Sequence, residues 1–227
     1  MKILDVRQGT DEWLDARLGR VTASELSSLI TSGWKVKTGE GPRSYLMRKI
    51  AEAWLSKPVN VFGSYATEQG TLLEPRARAW FELAHNCDVQ TVGFIVGDDN
   101  RCGCSPDGIV GTDSGLEIKC PQETNAVRYA LDGTLPDDYE MQIHGSLFVT
   151  GFPRWHFVSY HPQLPCLDII IDRDESKCAV IAEALAGFYQ YFDDAWEQLN
   201  AIADEPRVNP FAVAVRVSNC AEENPKK

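Results

Sequence analysis

Two carboxylates and an ammonium group fall near one another in this chain, on segments whose local chemistry draws them closer. Asp107 lies in Ser105-Pro106-Asp107-Gly108, a run of turn formers at the edge of a strand. Glu117 and Lys119 lie in Gly115-Leu116-Glu117-Ile118-Lys119-Cys120. Alternation there puts Glu117 and Lys119 on one face and Leu116, Ile118 and Cys120 on the other. The intervening Gly111-Thr112-Asp113-Ser114-Gly115 is turn chemistry, so the two segments are predicted to form a hairpin with Asp107 beside Glu117. Two carboxylates at one point repel unless a cation sits between them, and all-oxygen ligation suits Mg²⁺ or Mn²⁺. A lysine beside that cation orients or deprotonates a water and offsets charge on a phosphate. The chemistry is that of a metal-dependent phosphodiesterase. A surface salt pair alone accounts for Glu117 and Lys119, but it does not call for Asp107.

The elements that must hold these residues read as one α/β domain, a mixed sheet flanked by helices. A short helix is predicted over 10–18, and a second over 22–30 with Thr22 and Glu25 as a capping box. A loop covers 31–41, and Pro42 opens a helix to 56. Helix 67–85 carries a break or kink at Glu74-Pro75. Strands follow over 88–97, 102–110 and 115–120, helices over 122–131 and 138–150, strands over 154–161 and 166–172, and a long helix over 174–204. The domain is assigned to 1–206 and a tail to 207–227, whose apolar patch Phe211-Ala212-Val213-Ala214-Val215 docks on the body or on a neighbouring subunit.

Composition narrows the class. A chain of 227 residues with 44% hydrophobic content is enough for one sizeable core. No apolar run reaches membrane-spanning length, and Met1-Lys2-Ile3-Leu4-Asp5 is not a signal peptide, so no membrane role is expected. Seven scattered cysteines read as reduced cytoplasmic thiols, with Cys102-Gly103-Cys104 the one close pair. A structural zinc or an iron–sulfur cluster needs about four clustered ligands, which excludes both. Net charge is −11. Residues 1–57 nevertheless hold ten Lys/Arg against seven Asp/Glu, and the remainder 12 against 26. A basic N-terminal part on an acidic body fits a local electropositive channel for a phosphate backbone, or else a solvated helix face.

The combination Pro106-Asp107 with Glu117-Ile118-Lys119 resembles the PD-(D/E)xK nuclease signature. Further blocks follow in order: Gln8-Gly9-Thr10-Asp11-Glu12-Trp13, Arg17-Leu18-Gly19, Thr22-Ala23-Ser24-Glu25, Gly70-Thr71-Leu72-Leu73-Glu74 and Tyr139-Glu140-Met141-Gln142. Together they resemble the phage lambda exonuclease family, the YqaJ-type viral recombinases, over residues 5–200. Residues beyond 207 have no counterpart in the resemblance.

The resemblance implies a restriction-endonuclease-like core and assigns roles. Asp107, Glu117, the Ile118 backbone carbonyl and Glu74 are metal ligands for Mg²⁺, two ions in number, with Mn²⁺ able to substitute. Lys119 positions the attacking water, and Gln142 lies close to it. Without the resemblance Glu74 is a routine exposed acid and Gln142 a surface amide. Arg17 and Ser24 are assigned to the 5′-phosphate of the digested strand, with a further basic residue at Trp34 or Lys35, for which Lys35 is chosen. The mundane alternative pairs Arg17 with Asp11 or Asp15. A strand-splitting wedge falls near Ser64-Tyr65-Ala66-Thr67-Glu68, on Tyr65 or Phe62. The implied activity is 5′-to-3′ digestion of one strand of linear double-stranded DNA to mononucleotides, leaving a 3′ overhang. The implied assembly is a processive homotrimeric ring, with a single-strand annealing protein as partner in phage recombination. Two rivals stand beside it: another nuclease of the same core, and an inactive DNA-end-binding recombination scaffold.

Overall fold

The computed structural model describes residues 1–59 and 65–212, the side chains of 65–71 excepted. In chain order the elements are β1 (Lys2–Leu4), α1 (Asp11–Arg17), β2 (Val21–Thr22), a 3-10 helix (Ala23–Ser28), α2 (Glu40–Leu55), α3 (Tyr65–His85), β3 (Val89–Gln90), β4 (Phe94–Val96), β5 (Cys102–Cys104), β6 (Gly108–Val110), β7 (Ser114–Lys119), α4 (Glu123–Asp132), α5 (Asp137–Thr150), β8 (Arg154–Ser159), β9 (Leu167–Asp172) and α6 (Glu175–Ile202). Helices flank mixed sheets, as the sequence pattern requires. The strands, however, divide into two sheets, ordered β1-β4-β5-β2 and β3-β6-β7-β8-β9.

The division has a local cause. Each of the predicted strands 88–97 and 102–110 breaks in the middle and gives one half to each sheet. The first break falls at Gly93, where a Cβ would come within 1.7 Å of the Val6 carbonyl oxygen. Only glycine lets the N-terminal segment pass so close. The second falls at Ser105-Pro106-Asp107, where proline has no N–H to give a ladder. Asp107 therefore sits between the sheets. Its N–H still reaches the Leu116 carbonyl at 3.0 Å, which extends the β6–β7 hairpin to the acid.

The hairpin forms as predicted, with Gly108 opposite Leu116 and Val110 opposite Ser114. β7 then runs parallel to β8, Glu117 pairing with Phe157. Leu116 and Ile118 pack with Ala77 and Phe81 of α3 and with Val158 and Tyr160. The larger core lies on the other side, where Ile143 and Leu147 of α5 meet Trp155, Phe157 and the α6 residues Ile181, Leu185, Phe188 and Phe192. Each such side chain contributes about 1.5–3 kcal/mol through burial. Apolar packing on both faces fixes the register of β7, because a one-residue slip would drive Glu117 into the α3 side.

Other expectations shift in detail. Thr10 caps α1 by accepting from the Trp13 N–H at 3.4 Å. The segment after Thr22 is a short 3-10 helix rather than an α-helix to residue 30, and the capping box does not form. The Glu25 carboxylate meets the Thr22 hydroxyl at 3.0 Å and is drawn to Arg48 and Lys49 instead of returning to the backbone. α3 runs through Pro75 as one helix. β1 and β2, not read from the sequence, flank β4 and β5. The stretch from 207, expected as a tail, is fastened through 212. Trp196 Nε1 donates to the Arg207 carbonyl at 3.0 Å, Asn209 Nδ2 to Asp193 at 2.9 Å, and Phe211 is buried. The rest of its apolar patch lies outside the described residues.

Candidate active site

Asp107, Glu117, Lys119 and Gln142 come together where the β6–β7 hairpin meets α5. The side chain of Glu117 is only 3% exposed, yet it keeps its place through two donors on one oxygen. Lys119 Nζ and Gln142 Nε2 each lie 2.6 Å from Glu117 Oε1. The other oxygen, Oε2, is buried and has no hydrogen-bond partner. A buried carboxylate oxygen without a partner carries a desolvation cost of several kcal/mol unless something cationic meets it. Asp107 is held from the opposite strand by the Ile118 N–H, which donates to its Oδ2 at 2.6 Å.

The electrostatics agree with the geometry. Burial, and next the Glu117 carboxylate, push the Asp107 carboxyl well above its ordinary range; Lys119 and the Ile118 N–H pull it back, and Glu74 adds to the rise. For Lys119, burial alone favours the neutral amine, but Glu117 and Asp107 outweigh it and raise its pKa. The ammonium is thus firmly charged, and Tyr139 lies under it at 5.1 Å. Two adjacent acids, one with a bare oxygen, form a hard all-oxygen donor set that fits Mg²⁺ or Mn²⁺.

Glu74 does not complete a carboxylate trio. It is ion-paired with Arg78 one turn along α3, although it is near enough to Asp107 to raise its pKa. Among the described residues no three His, Cys, Asp or Glu side chains gather as a metal-binding group. His144, two residues from Gln142, turns away from the acids: its Nε2 is 3.0 Å from Lys177 Nζ. The six cysteines among the described residues are free thiols.

Arg17 takes neither Asp11 nor Asp15. Its guanidinium lies 4.4 Å over the Trp13 ring, and Nη1 donates to Ser105 Oγ at 3.1 Å. Trp13 Nε1 donates to the same hydroxyl at 2.9 Å. Ser105 is the residue that sequence reasoning missed, having been read only as a turn former. Its place two residues before Asp107 was the available signal, because the turn that presents the acid also presents the hydroxyl. Gln8 was read only as part of a motif block; its Nε2 donates to the Pro106 and Val92 carbonyls and ties that turn to the N-terminal segment. Ser24 is exposed, with its hydroxyl 3.3 Å from that of Thr22. Lys35 is exposed on the loop between the 3-10 helix and α2. Phe62 and the side chain of Tyr65 lie outside the described residues.

Beside Arg17 opens a cavity of about 310 Å³, lined by Trp13, Glu25, Arg48, Lys49 and Glu52 among others. Part of the basic charge counted in the N-terminal segment is neutralised here. Lys49 lies 2.9 Å from Glu25 and 3.1 Å from Glu52, and Arg48 lies 2.7 Å from Glu25. Arg17 itself lines the cavity; burial draws its pKa down, and Glu25 opposes that shift.

Comparison with known proteins places this arrangement in a family. Residues 12–153, more than half of the chain, match the YqaJ-like viral recombinase domain. Among solved structures, the alkaline exonuclease LHK-Exo from Laribacter hongkongensis is 29% identical with a TM-score of 0.75, the match covering 85% of this chain and 97% of that one. The same enzyme in complex with dAMP matches equally. A phage-related exonuclease from Haemophilus somnus 129PT shares the fold, with a TM-score of 0.62 at 15% identity over 79% of this chain and 96% of that one. No curated protein gives a significant match. The chain belongs to the YqaJ-like viral recombinase domain family.

Proposed function

We propose that this protein is a Mg²⁺-dependent exonuclease that digests one strand of linear double-stranded DNA from its 5′ end to mononucleotides, leaving a 3′ single strand. The observation that carries the proposal is the Glu117 carboxylate, fixed through Oε1 by Lys119 and Gln142 while Oε2 stays buried and unpartnered beside Asp107. Asp107, Glu117 and the Ile118 carbonyl would hold the metal, with Glu74 able to join them by leaving Arg78. Mn²⁺ would serve in place of Mg²⁺, and the family resemblance argues for two ions. When bound, the metal supplies Lewis-acid stabilisation of the phosphoryl oxygens and a more acidic water.

The chain's own residues do the rest. Lys119, charged and anchored on Glu117, orients the attacking water and offsets charge building on the phosphate. Gln142 keeps Glu117 from rotating. Arg17 and Ser105, which are in contact, receive the terminal 5′-phosphate together with Ser24 and Lys35, which the family resemblance adds. Anchoring that phosphate beyond the acids sets a 5′-to-3′ direction. The complex of LHK-Exo with dAMP, a deoxynucleoside monophosphate, supports release of mononucleotides. The family resemblance supports a processive homotrimeric ring and a single-strand annealing partner, acting in the bacterial cytoplasm during phage recombination.

The test is digestion of linear duplex labelled at either end of one strand, in Mg²⁺ and in EDTA, with closed circular DNA alongside. Early, Mg²⁺-dependent release of the 5′ label as mononucleotide supports the proposal. Cutting of closed circles moves the protein to the endonuclease branch, and retained binding without hydrolysis leaves an end-binding scaffold.

A further inference from the structure

Phe211 lies beyond every motif of the sequence, yet it is 3% exposed and sits in the main core. Its ring packs at 5.9 Å from Tyr189 and 5.5 Å from Phe192, and it closes over Gly19. A Cβ on Gly19 would come within 2.8 Å of that ring, and Gly19 has φ +69°, a left-handed conformation that a bulkier residue resists. Phe211 thus sits on a bend that glycine alone allows, two residues after Arg17.

The same strap grips a second segment. Arg101 Nε and Nη2 donate to the Phe211 carbonyl at 3.1 and 2.8 Å, and Nη2 also meets Asp193 at 2.8 Å. Arg101 opens the strand that leads to Ser105. Arg20 lies 5.4 Å over the Phe211 ring and binds the Asn100 carbonyl and side chain. Tyr189 completes the clasp: its hydroxyl donates to the Arg101 carbonyl and accepts from the Val21 N–H at 3.2 Å. Residues 17–21 and 100–105 are therefore fastened to each other through Phe211, Arg101 and Tyr189. These two segments carry Arg17 and Ser105.

We infer that Phe211 and the strap Asn209–Phe211 are positioning elements for the 5′-phosphate pocket, an inference that rests on the reading of Arg17 and Ser105 given above. A two-residue anion pocket is only as preorganised as the spacing of the segments that bear it. Loss of the ring frees the Gly19 bend, and Arg17 then samples positions away from Ser105. The acids are set independently, by the hairpin bonds of Asp107 to Leu116 and Ile118, which the strap does not touch. The expected signature is selective: weaker use of the terminal phosphate with cleavage chemistry intact.

The experiment compares wild type, Phe211→Ala, Phe211→Leu, Asn209→Ala and Arg17→Ala on linear duplexes with 5′-phosphate or 5′-hydroxyl ends, reading kcat and KM for each. Asn209 accepts the Phe211 N–H at 2.9 Å and holds Asp193, so its substitution loosens the strap without emptying the core. Phe211→Ala and Asn209→Ala are expected to lower the phosphate preference about tenfold, through KM, with kcat on hydroxyl ends within about twofold of wild type. Phe211→Leu, which refills the space, restores the preference. A folded Phe211→Ala that keeps the wild-type preference, or that slows both substrates alike, overturns the inference. Should Phe211→Ala fail to fold, Asn209→Ala decides by the same criteria. A wild type without phosphate preference, or an Arg17→Ala variant that retains it, sinks the pocket reading and the strap inference with it.

Discussion

Gln142 on α5 donates to the same oxygen of Glu117, at 2.6 Å, that Lys119 contacts from its own strand. A helix 25 residues away in sequence thereby sets the orientation of a strand carboxylate. Gln142→Ala removes one of the two anchors. We expect an activity loss of about tenfold or more, with a raised Mg²⁺ requirement because Glu117 no longer presents Oε2 in one place. Mg²⁺ titration of duplex hydrolysis checks this; an unchanged Mg²⁺ midpoint removes Gln142 from the site.

The three residues of the hairpin carry a heavier load. Asp107→Ala, Glu117→Ala and Lys119→Ala should each cost at least about two orders of magnitude in rate, about 3 kcal/mol. DNA binding by Lys119→Ala should persist, since backbone contacts elsewhere dominate affinity. Single-turnover hydrolysis and filter binding measured together separate the two effects. Near-normal hydrolysis by Lys119→Ala ends its assignment.

The adjacency of Asp107 and Glu117 makes the metal-free protein strained at its site. Added Mg²⁺ should raise Tm in a concentration-dependent way, while Asp107→Asn should raise Tm in EDTA and abolish the Mg²⁺ increment. Activity and stability then move in opposite directions at one residue. Thermal scans in EDTA and in graded Mg²⁺ read both; no metal dependence of Tm in wild type argues against a metal at these acids.

Glu25 links stability to pH. Burial alone raises its carboxyl, but Lys49 and Arg48 overcome that and hold it at about 2, against 4.5 for a free glutamate. A folded-state pKa below the unfolded one means stability that is complete above about pH 4.5 and is lost as the pH falls toward 2. The contribution is at most about 3 kcal/mol. Urea midpoints across pH 2–7 should fall more steeply on the acid side for wild type than for Glu25→Gln, and the variant should be the less stable at pH 7. Parallel curves contradict the assignment.

Close packing beneath the acids gives a further expectation. A Cβ on Gly115 would lie 2.3 Å from the buried Trp155 ring, so Gly115→Ala must shift β7 against β8. Overpacking of this kind costs about 1–3 kcal/mol. Equilibrium unfolding measures it, and a Gly115→Ala protein of wild-type stability shows that the ring can move aside.

Much of the site was legible because local rules were enough to place it. Period-two alternation put Glu117 and Lys119 on one face, turn formers brought Asp107 back beside Glu117, and both relations hold in the structure. The order of motifs pointed to the family, and the match of residues 12–153 to the YqaJ-like viral recombinase domain bears that out. The helices over 122–131, 138–150 and 174–204 were readable from apolar period and breakers, and they fall within a few residues of α4, α5 and α6.

What the chain alone left open were relations between distant segments. The family resemblance grouped Arg17 with Ser24, and only the fold shows that the Arg17 guanidinium also meets Ser105, 88 residues away. Glu25 read as a capping acid, but the buried Lys49 and half-buried Arg48 of α2 draw its carboxylate away from the backbone. The division into two sheets depended on Val6 passing against Gly93, a close approach that no local pattern encodes. Residues from 207 read as a tail because their partners, Trp54, Asp193 and Trp196, are remote in sequence. Types and periods along a chain determine which face a side chain occupies. Which remote group meets that face follows from packing, because a buried charge or hydroxyl is satisfied only by whatever the assembled core brings within about 3 Å.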